Sequence, residues 1–431
     1  MESIVISFLM FIAVLVLLMI GIPVAFVFGT TAIAFAFLIP ELGFEVFSVL
    51  PFRIYGIMSN STLMAVPLFI AMGLILERSQ MAEKLLVAMS SLFRDIRGGL
   101  AVSVVLVGAM LAASTGIVSA SVVMMSVIAL PLMLRAGYDK SLASGTVASS
   151  GTLGQIIPPS IILIILGDVM SVSVGELFMG AVLPGLVLVG LYIAYILILS
   201  YFKPEAAPIP LNVKEISYKE VVISVLPPMV LMISVLGSIF AGIASPTESA
   251  AFGAIGAILL SMLNRSLNFD MLKYAGLETV KLSGMIFMIL IGATAFSLVF
   301  NELGGSDIIL EFFSQDIGDV WVFIAVAMIS IFILGFFIDF IEISFIIVPI
   351  LVPVMNAFGI DPIWFAVLIA LNLQTSFLTP PFGLSLFFLK GAAGDSIKTM
   401  EIYKGIIPFI ILQFLALCLV IMFPDLVFAF L

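Results

Sequence analysis

The chain alternates between long apolar runs and short polar segments along its whole length. Many of these runs approach the length of about 20 residues that an α-helix needs to cross a bilayer. The pattern predicts ten membrane crossings, at roughly 4–20, 24–39, 57–76, 141–167, 176–201, 221–241, 246–263, 282–301, 362–390 and 403–424. Two further apolar stretches, about 98–135 and 318–357, are too long for one crossing and are interrupted in the middle. We expect each to form a re-entrant hairpin that enters and leaves on one face.

A Pro-Pro pair occurs twice in matching surroundings, 222 residues apart. The same offset relates three further pairs: Gly137 and Gly359, Asp139 and Asp361, and Pro131 and Pro353. Each predicted half has five crossings and one hairpin, and because five is odd, the second half is inverted relative to the first. The predicted fold is therefore an all-α polytopic membrane protein of two inverted repeats, each with one re-entrant hairpin and one broken helix. The predicted units are a first repeat at 1–202, a cytoplasmic linker at 203–220 and a second repeat at 221–431.

Charge supports this arrangement of segments. It places every Lys and Arg except Arg53 on one face, and basic residues mark the cytoplasmic side of a membrane protein. The opposite face carries Glu302, Asp307, Glu311, Asp316 and Asp319. Both termini are therefore predicted to face away from the cytoplasm.

Composition narrows the function further. The chain is 63% hydrophobic and 10% charged, with a mean hydropathy of +1.37, which no soluble globular protein approaches. It has no histidine, which excludes Ser-His catalysis and histidine metal ligands, and Cys418 alone cannot form an internal disulfide. An intramembrane aspartyl protease is also disfavoured, because Tyr138-Asp139 has no Gly-x-Gly-Asp partner.

The first candidate site combines one hairpin with one broken helix. The hairpin, about 98–135, turns at Ser114, Thr115, Gly116 and Ser119. The helix, about 141–167, offers Ser149, Ser150, Gly151 and Thr152, followed by Gln155 and by Pro158 and Pro159. Proline lacks an N–H and clashes with the carbonyl one turn earlier, so it frees helix carbonyls beside these hydroxyls. Such oxygens suit a desolvated hard cation, and half-helix N-termini suit a carboxylate.

Ser and Thr also pack membrane helices together without binding anything. That alternative explains one such cluster well. A second cluster at the equivalent place in the other repeat favours a binding site.

The second hairpin, about 318–357, turns near Gly335, Asp339 and Glu342. Acids inside a membrane are costly and usually functional. They can serve as ion ligands, proton sites or contacts to a substrate gate, or a carboxylate can simply cap the helix inside the hairpin. The facing broken helix, about 362–390, supplies Asn372, Gln374, Thr375 and Thr379 ahead of Pro380 and Pro381.

Three runs resemble the large membrane subunit of tripartite ATP-independent periplasmic (TRAP) transporters, the DctM-like family. They are SerSerGlyThrLeuGlyGlnIleIleProProSer at 149–160, PheLeuThrProProPheGlyLeuSerLeuPhe at 377–387 and LeuGlyPhePheIleAspPheIleGluIleSerPheIleIleValProIle at 334–350. The resemblance implies an elevator-type secondary transporter of the bacterial inner membrane, with sodium as coupling ion and no organic cofactor. It also implies two partners: a periplasmic substrate-binding protein that delivers an organic acid, and a separate small four-helix membrane subunit.

Carried over by position, the family's sodium sites fall on 114–119 with 149–152, and on 335–339 with 375–379. The chain departs from the family pattern twice. The first tip reads Thr115-Gly116-Ile117-Val118 where many members have a Ser-Gly-Ser-Ser-like sequence, and Glu342 stands at a position that is often neutral.

The sequence thus predicts a transporter and not an enzyme, one that takes up a carboxylate-bearing organic acid, driven by a sodium gradient. A proton-coupled carrier that uses Asp339 and Glu342 is the nearest alternative. A channel formed by the two hairpins is disfavoured, since the sequence has no ring of repeated filter residues.

Overall fold

The computed structural model describes residues 2–39, 43–116, 118–210 and 217–431, and its regular structure in these ranges is helical. The first half contains α1 Glu2–Met19, α2 Val24–Leu38, α3 Leu50–Met58, α4 Ala65–Arg78, α5 Met81–Leu92, α6 Gly99–Thr115, α7 Val118–Arg135, α8 Lys140–Thr152, α9 Ile161–Val169 and α10 Val174–Phe202. The second half contains α11 Tyr218–Phe240, α12 Pro246–Leu263, α13 Phe269–Glu302, α14 Gly305–Glu311, α15 Val320–Leu334, α16 Phe340–Ala357, α17 Pro362–Leu378, α18 Leu384–Ala393, α19 Thr399–Met422 and α20 Asp425–Phe428.

Seven of the described helices are long and apolar enough to cross a membrane: α7, α10, α11, α12, α13, α16 and α19. The pair α4 and α5, bent by 63°, raises the number to eight. Shorter apolar helices include α2, α15 and α17. The prediction of an all-helical chain with multiple apolar spans is confirmed. Between α10 and α11 lies the predicted linker, of which 211–216 fall outside the described residues.

The predicted crossing at 57–76 is wrong in its extent, because the chain breaks between α3 and α4. The side-chain Oδ1 of Asn60 accepts the backbone N–H groups of Thr62 and Leu63 at 2.9 and 3.3 Å. An asparagine that bonds its own backbone in this way stabilises a turn and competes with the helix.

The predicted crossing at 282–301 is only the second part of a longer helix. α13 begins at Phe269, where the Asn268 side chain accepts the backbone N–H of Met271 at 2.7 Å. Lys273 and Lys281, which lie between the predicted crossings 246–263 and 282–301, are on exposed faces of this helix. Lys281 donates to Glu278 at 2.6 Å, one turn earlier, which supports the polar end of the helix.

The helices pack into two groups. In the first group, α4 packs against α12 and α13, α13 packs against α2, and α11 packs against α12 and α5. In the second, α8 packs against α6, α7 and α19, while α17 packs against α15 and α19. The groups meet where α4 contacts α6 and α9, where α5 contacts α6, and where α13 contacts α16. The two hairpins and both broken helices therefore belong to one packed group.

Candidate functional site

The first broken helix starts at an aspartate cap and stops deep in the protein. Asp139 Oδ1 accepts the backbone N–H groups of Ser141 and Leu142 at 2.9 and 3.0 Å. α8 ends at Thr152, a short turn follows, and the second half, α9, begins at Ile161. Every residue of α8 from Leu142 to Thr152 is buried. A helix made of small and hydroxyl-bearing residues can be buried in this way, because such side chains let the neighbouring helices approach closely.

The second broken helix repeats this construction. Asp361 Oδ1 accepts the backbone N–H groups of Ile363 and Trp364, again at 2.9 and 3.0 Å. α17 ends at Leu378 and α18 begins at Leu384. The Pro158-Pro159 and Pro380-Pro381 peptide bonds are both cis. The prolines therefore lie in the interruptions of the two helices, as predicted.

The two broken helices touch at the site. Gln374 Nε2 donates to Thr152 Oγ1 at 3.4 Å, and both side chains are fully buried. These residues are 222 apart, which is the repeat offset found in the sequence. The one direct side-chain hydrogen bond that the described residues show between α8 and α17 thus joins two positions with the same separation as the two Pro-Pro pairs.

Hydroxyl groups on both helices point their protons back into their own helix. The bonds join Ser149 to the Thr146 carbonyl, Ser150 to Val147, Thr152 to Ser149, Thr375 to Leu371 and Thr379 to Thr375, at 2.8 to 3.1 Å. A hydroxyl that donates to a carbonyl keeps lone pairs on its oxygen. These oxygens remain available to a positively charged ligand.

Two buried glutamines carry unsatisfied amide atoms beside this crossing. Among the described residues, Gln155 Oε1 and Nε2 and Gln374 Oε1 have no hydrogen-bond partner. Both side chains are at most 1% exposed. Unpaired buried amides are costly and call for a water, an ion or a ligand that completes them. The oxygen-rich set fits a hard cation, whose ligands are carbonyl, hydroxyl and carboxylate oxygens.

The first hairpin brings its tip against the second half of the first broken helix. Gly116 has φ +60°, a conformation that glycine adopts without a Cβ clash, and a Cβ there would lie 2.8 Å from Ile161 Cγ1. Farther along the hairpin, the backbone of Val122 in α7 packs against Gly151 of α8. Ser119 is half-buried close to the tip. Ile117 and the side chains of Ser114 and Thr115 lie outside the described residues.

The second hairpin seats its tip on α17. A Cβ on Gly335 would overlap the hydroxyl of Ser376, so the hairpin backbone lies directly on that helix. Asn372 Nδ2 donates to the Met328 carbonyl at 2.6 Å and ties α17 to α15. The Asn372 amide N–H therefore holds the hairpin against α17 and does not point to the crossing of the broken helices.

The two acids of the second hairpin have different surroundings. Asp339 is half-buried, and its Oδ1 accepts the Phe340 backbone N–H at 2.7 Å, which is the capping role that we had kept as an alternative. Glu342 is 4% exposed, and its Oε2 has no hydrogen-bond partner among the described residues. Asp339 therefore caps the helix inside the hairpin, whereas Oε2 of Glu342 makes no hydrogen bond to the described residues.

A polar connection between the two packing groups was not predicted. Asn60, in the turn before α4, donates through Nδ2 to Asp168 Oδ1 of α9 at 2.5 Å. The bond borders a polar cavity of about 500 Å³ lined by Thr62, Ser171 and Ser173 among others. An acid at the end of an otherwise apolar half-helix was the sequence signal for this contact.

We expect Asp168→Ala to lower the thermal stability of the purified protein, because it removes a hydrogen bond to a charged group worth about 1.5–3 kcal/mol. Asp168→Asn keeps the Oδ1 acceptor and should stay close to the wild-type unfolding temperature. Glu302→Ala, at an exposed acid, is the matched control. Equal unfolding temperatures for Asp168→Ala and the control would show that the contact contributes nothing.

Comparison with known proteins places this architecture in a family. The model of the tripartite ATP-independent periplasmic transporter, DctM component, matches residues 11–426. The chain belongs to this DctM family. The predictions of a TRAP large permease and of a transporter instead of an enzyme are therefore confirmed.

Individual relatives agree along most of their length. The chain is 31% identical to the C4-dicarboxylate TRAP transporter large permease protein DctM of Pseudomonas aeruginosa, covering 80% of this chain and 81% of that protein. It is 31% identical to the ectoine/5-hydroxyectoine TRAP transporter large permease protein UehC of Ruegeria pomeroyi, covering 96% of each. It is 28% identical to the sialic acid TRAP transporter large permease protein SiaM of Vibrio cholerae, covering 95% and 94%.

Solved structures share the fold at low sequence identity. The YdaH transporter of Alcanivorax borkumensis aligns with a TM-score of 0.61 at 13% identity, covering 90% of this chain and 91% of that one. MtrF of Neisseria gonorrhoeae aligns with a TM-score of 0.60 at 14% identity, covering 88% and 84%. Both are membrane transporters, and the likeness concerns the arrangement of helices.

Proposed function

We propose that this DctM-family permease is a sodium-driven importer of a carboxylate-bearing organic acid. The observation that carries the proposal is the contact between Gln374 and Thr152, where two broken helices cross at repeat-equivalent residues. Inverted repeats with interrupted helices that meet at the membrane midplane are the usual construction of a secondary transporter's binding site.

Sodium is the coupling ion that best fits this site. The crossing offers hydroxyl oxygens with free lone pairs and two glutamine oxygens without partners, Gln155 Oε1 and Gln374 Oε1. The sequence of both broken helices supplies no Lys or Arg between 141 and 167, and only Lys390 at the far end of the second. A site of neutral oxygens favours a hard monovalent or divalent cation over an anion. The ion in turn supplies positive charge for a substrate carboxylate.

The packing supports an elevator movement. Both hairpins and both broken helices belong to one packed group, distinct from the group of α2, α4, α11, α12 and α13. Two helices that follow a non-helical joint contact both groups. α5 follows Gln80, with φ +59°, and contacts α11 and α6, while α14 follows Gly304, with φ +73°, and contacts α13 and α16. Such short non-helical joints absorb backbone changes when packed bodies move. We infer that the hairpin group carries the site across the membrane against the first group.

The substrate class and the partners follow from the family. The relatives are named for C4-dicarboxylates, sialic acid and ectoine, all of which carry a carboxylate. A tripartite transporter has two further components, which we propose to be a small four-helix membrane subunit and a periplasmic binding protein that selects the substrate. The permease then lies in the bacterial inner membrane with both termini on the periplasmic side.

Uptake into proteoliposomes tests this function. The permease and its small subunit are reconstituted, the binding protein is added outside, and a panel of labelled carboxylates is offered with and without an inward sodium gradient. We expect accumulation of one carboxylate that requires both sodium and the binding protein. Accumulation at the same rate without sodium would contradict sodium coupling.

The unpaired Oε2 of Glu342 is the one observation that favours a proton-coupled carrier instead. In that mechanism Asp339 and Glu342 would carry the coupling proton. Uptake driven by a pH gradient alone, in sodium-free buffer, would support it and would leave the fold assignment untouched.

A further inference from the structure

A second, apolar cavity lies between the two packing groups, away from the broken helices. Its volume is about 490 Å³, within the range of about 300–1,000 Å³ typical of small-molecule sites. One wall is formed by α1, the end of α13 and α14, and the other by α15 and α16 of the second hairpin. The lining includes Phe8, Phe11, Phe300, Ile309, Ala327 and Leu351. We propose that this cavity binds one acyl chain of a membrane phospholipid.

The first reason is that the cavity opens towards the region where lipid lies. Phe8 is 67% exposed, Ile333 is 49% exposed and Val326 is 39% exposed. In a polytopic membrane protein, large apolar side chains with this exposure on apolar helices face acyl chains. A chain can therefore enter sideways from the bilayer, whereas a polar substrate would have to leave water to reach the cavity.

The second reason is a polar group inside the cavity that lacks a partner. Ser7 lines the cavity, is 5% exposed, and its Oγ has no hydrogen-bond partner among the described residues. A buried hydroxyl of this kind is normally satisfied. A purely hydrocarbon occupant would leave it unpaired, but the ester carbonyl of a phospholipid would accept its proton.

The position of Ser7 agrees with a lipid ester. α1 starts at Glu2, and five residues of helix rise by about 7.5 Å. Ser7 therefore lies near one end of this apolar helix, and in the proposed site this end lies at the depth where ester groups meet hydrocarbon. Ile333, Leu334 and Ile347 line the deeper part and belong to the apolar interior of the second hairpin. An acyl chain that runs from Ser7 towards Leu334 would match the polarity at both ends.

The cavity joins a helix of the first group to the hairpin of the second. If the hairpin group moves as we propose, the lipid must leave or shift in each transport cycle. A bound lipid would therefore slow the movement of the hairpin group. This consequence rests on the proposed function. The lipid site itself does not, and its test needs no transport.

The test is to count the phospholipids that stay bound when the protein, with its small subunit, is purified in mild detergent and analysed by native mass spectrometry. Val326→Trp and Ala327→Phe fill the cavity from two positions, and Ser7→Ala removes the hydroxyl. Ile233→Trp on the exposed face of α11 is the matched control. Palmitoyl-oleoyl phosphatidylethanolamine is then added back to delipidated protein as the probe.

We expect the wild type and the Ile233→Trp control to retain one phospholipid more than either filled variant, and Ser7→Ala to need several-fold more added lipid for rebinding. Equal retention in all variants would overturn the proposal. So would retention of detergent only, or loss of the small subunit from the filled variants with lipid unchanged, since the cavity would then belong to the subunit interface. Two filling positions keep the test decisive if one variant does not fold.

Discussion

Replacing Gln374 by leucine is expected to raise the sodium concentration for half-maximal uptake by about tenfold or more. Leucine has nearly the volume of glutamine but offers neither the amide that reaches Thr152 nor the unpaired Oε1. Loss of a buried polar partner costs about 1–3 kcal/mol, and about 1.4 kcal/mol corresponds to tenfold in affinity. The measurement is the sodium dependence of carboxylate uptake in proteoliposomes.

Gln413→Leu is the matched control for this variant. Gln413 is also a fully buried glutamine, but it lies on α19, outside the crossing. Its sodium dependence should equal that of the wild type. A similar shift in both variants would mean that buried glutamines matter only for packing, and no shift in either would remove Gln374 from the site.

Replacing Gly335 by alanine is expected to lower the uptake rate by about ten- to a hundredfold. The added Cβ would overlap the Ser376 hydroxyl, so the tip of the second hairpin could no longer sit on α17. Overpacking of this kind costs about 1–3 kcal/mol. Because it destabilises the packing of the hairpin tip on α17, we expect it to lower the transport rate. Initial uptake rates at saturating sodium measure it.

Two further variants make this test specific. Gly391→Ala lies on α18 with open space around its Cβ position and should transport like the wild type. Ser376→Gly removes the overlapping side chain, so combining it with Gly335→Ala should restore part of the rate. Failure of the double variant to recover, together with normal folding, would contradict the seat between Gly335 and Ser376.

The sequence predicted the parts of the fold that depend on local chemistry. The pairs Pro158-Pro159 and Pro380-Pro381 lie in helix interruptions, although Pro227-Pro228 lies inside the continuous helix α11. Asp139 and Asp361 cap the two broken helices with the same pair of backbone bonds. The break before α4 was missed because its polar signal in the sequence is short. Asn60 makes a local turn within the short polar run 59–62, but the longer apolar runs on both sides dominate any hydropathy window.

The sequence indicated candidate site residues but not how they lie relative to one another in space. Thr152 and Gln374 are separated by the offset of 222 that relates the two Pro-Pro pairs, but only the packing of α8 with α17 brings their side chains together. Asn60 and Asp168 are 108 residues apart and have no shared motif. The residue type alone could not show whether Asp339 caps a helix or binds a ligand, because a carboxylate can do both. In the structure, its Oδ1 accepts the backbone N–H of Phe340, so one oxygen has the capping role.

The measurement that tests the central claim most directly is equilibrium binding of radioactive sodium to the purified permease, without substrate or binding protein. We compare the wild type with Gln374→Leu, Thr152→Val and the Gln413→Leu control. We expect saturable sodium binding that is not displaced by potassium, that weakens about tenfold or more in the first two variants, and that stays unchanged in the control. Wild-type protein that folds normally but binds no sodium, or binds it equally in all variants, would contradict a sodium site at the crossing of the two broken helices.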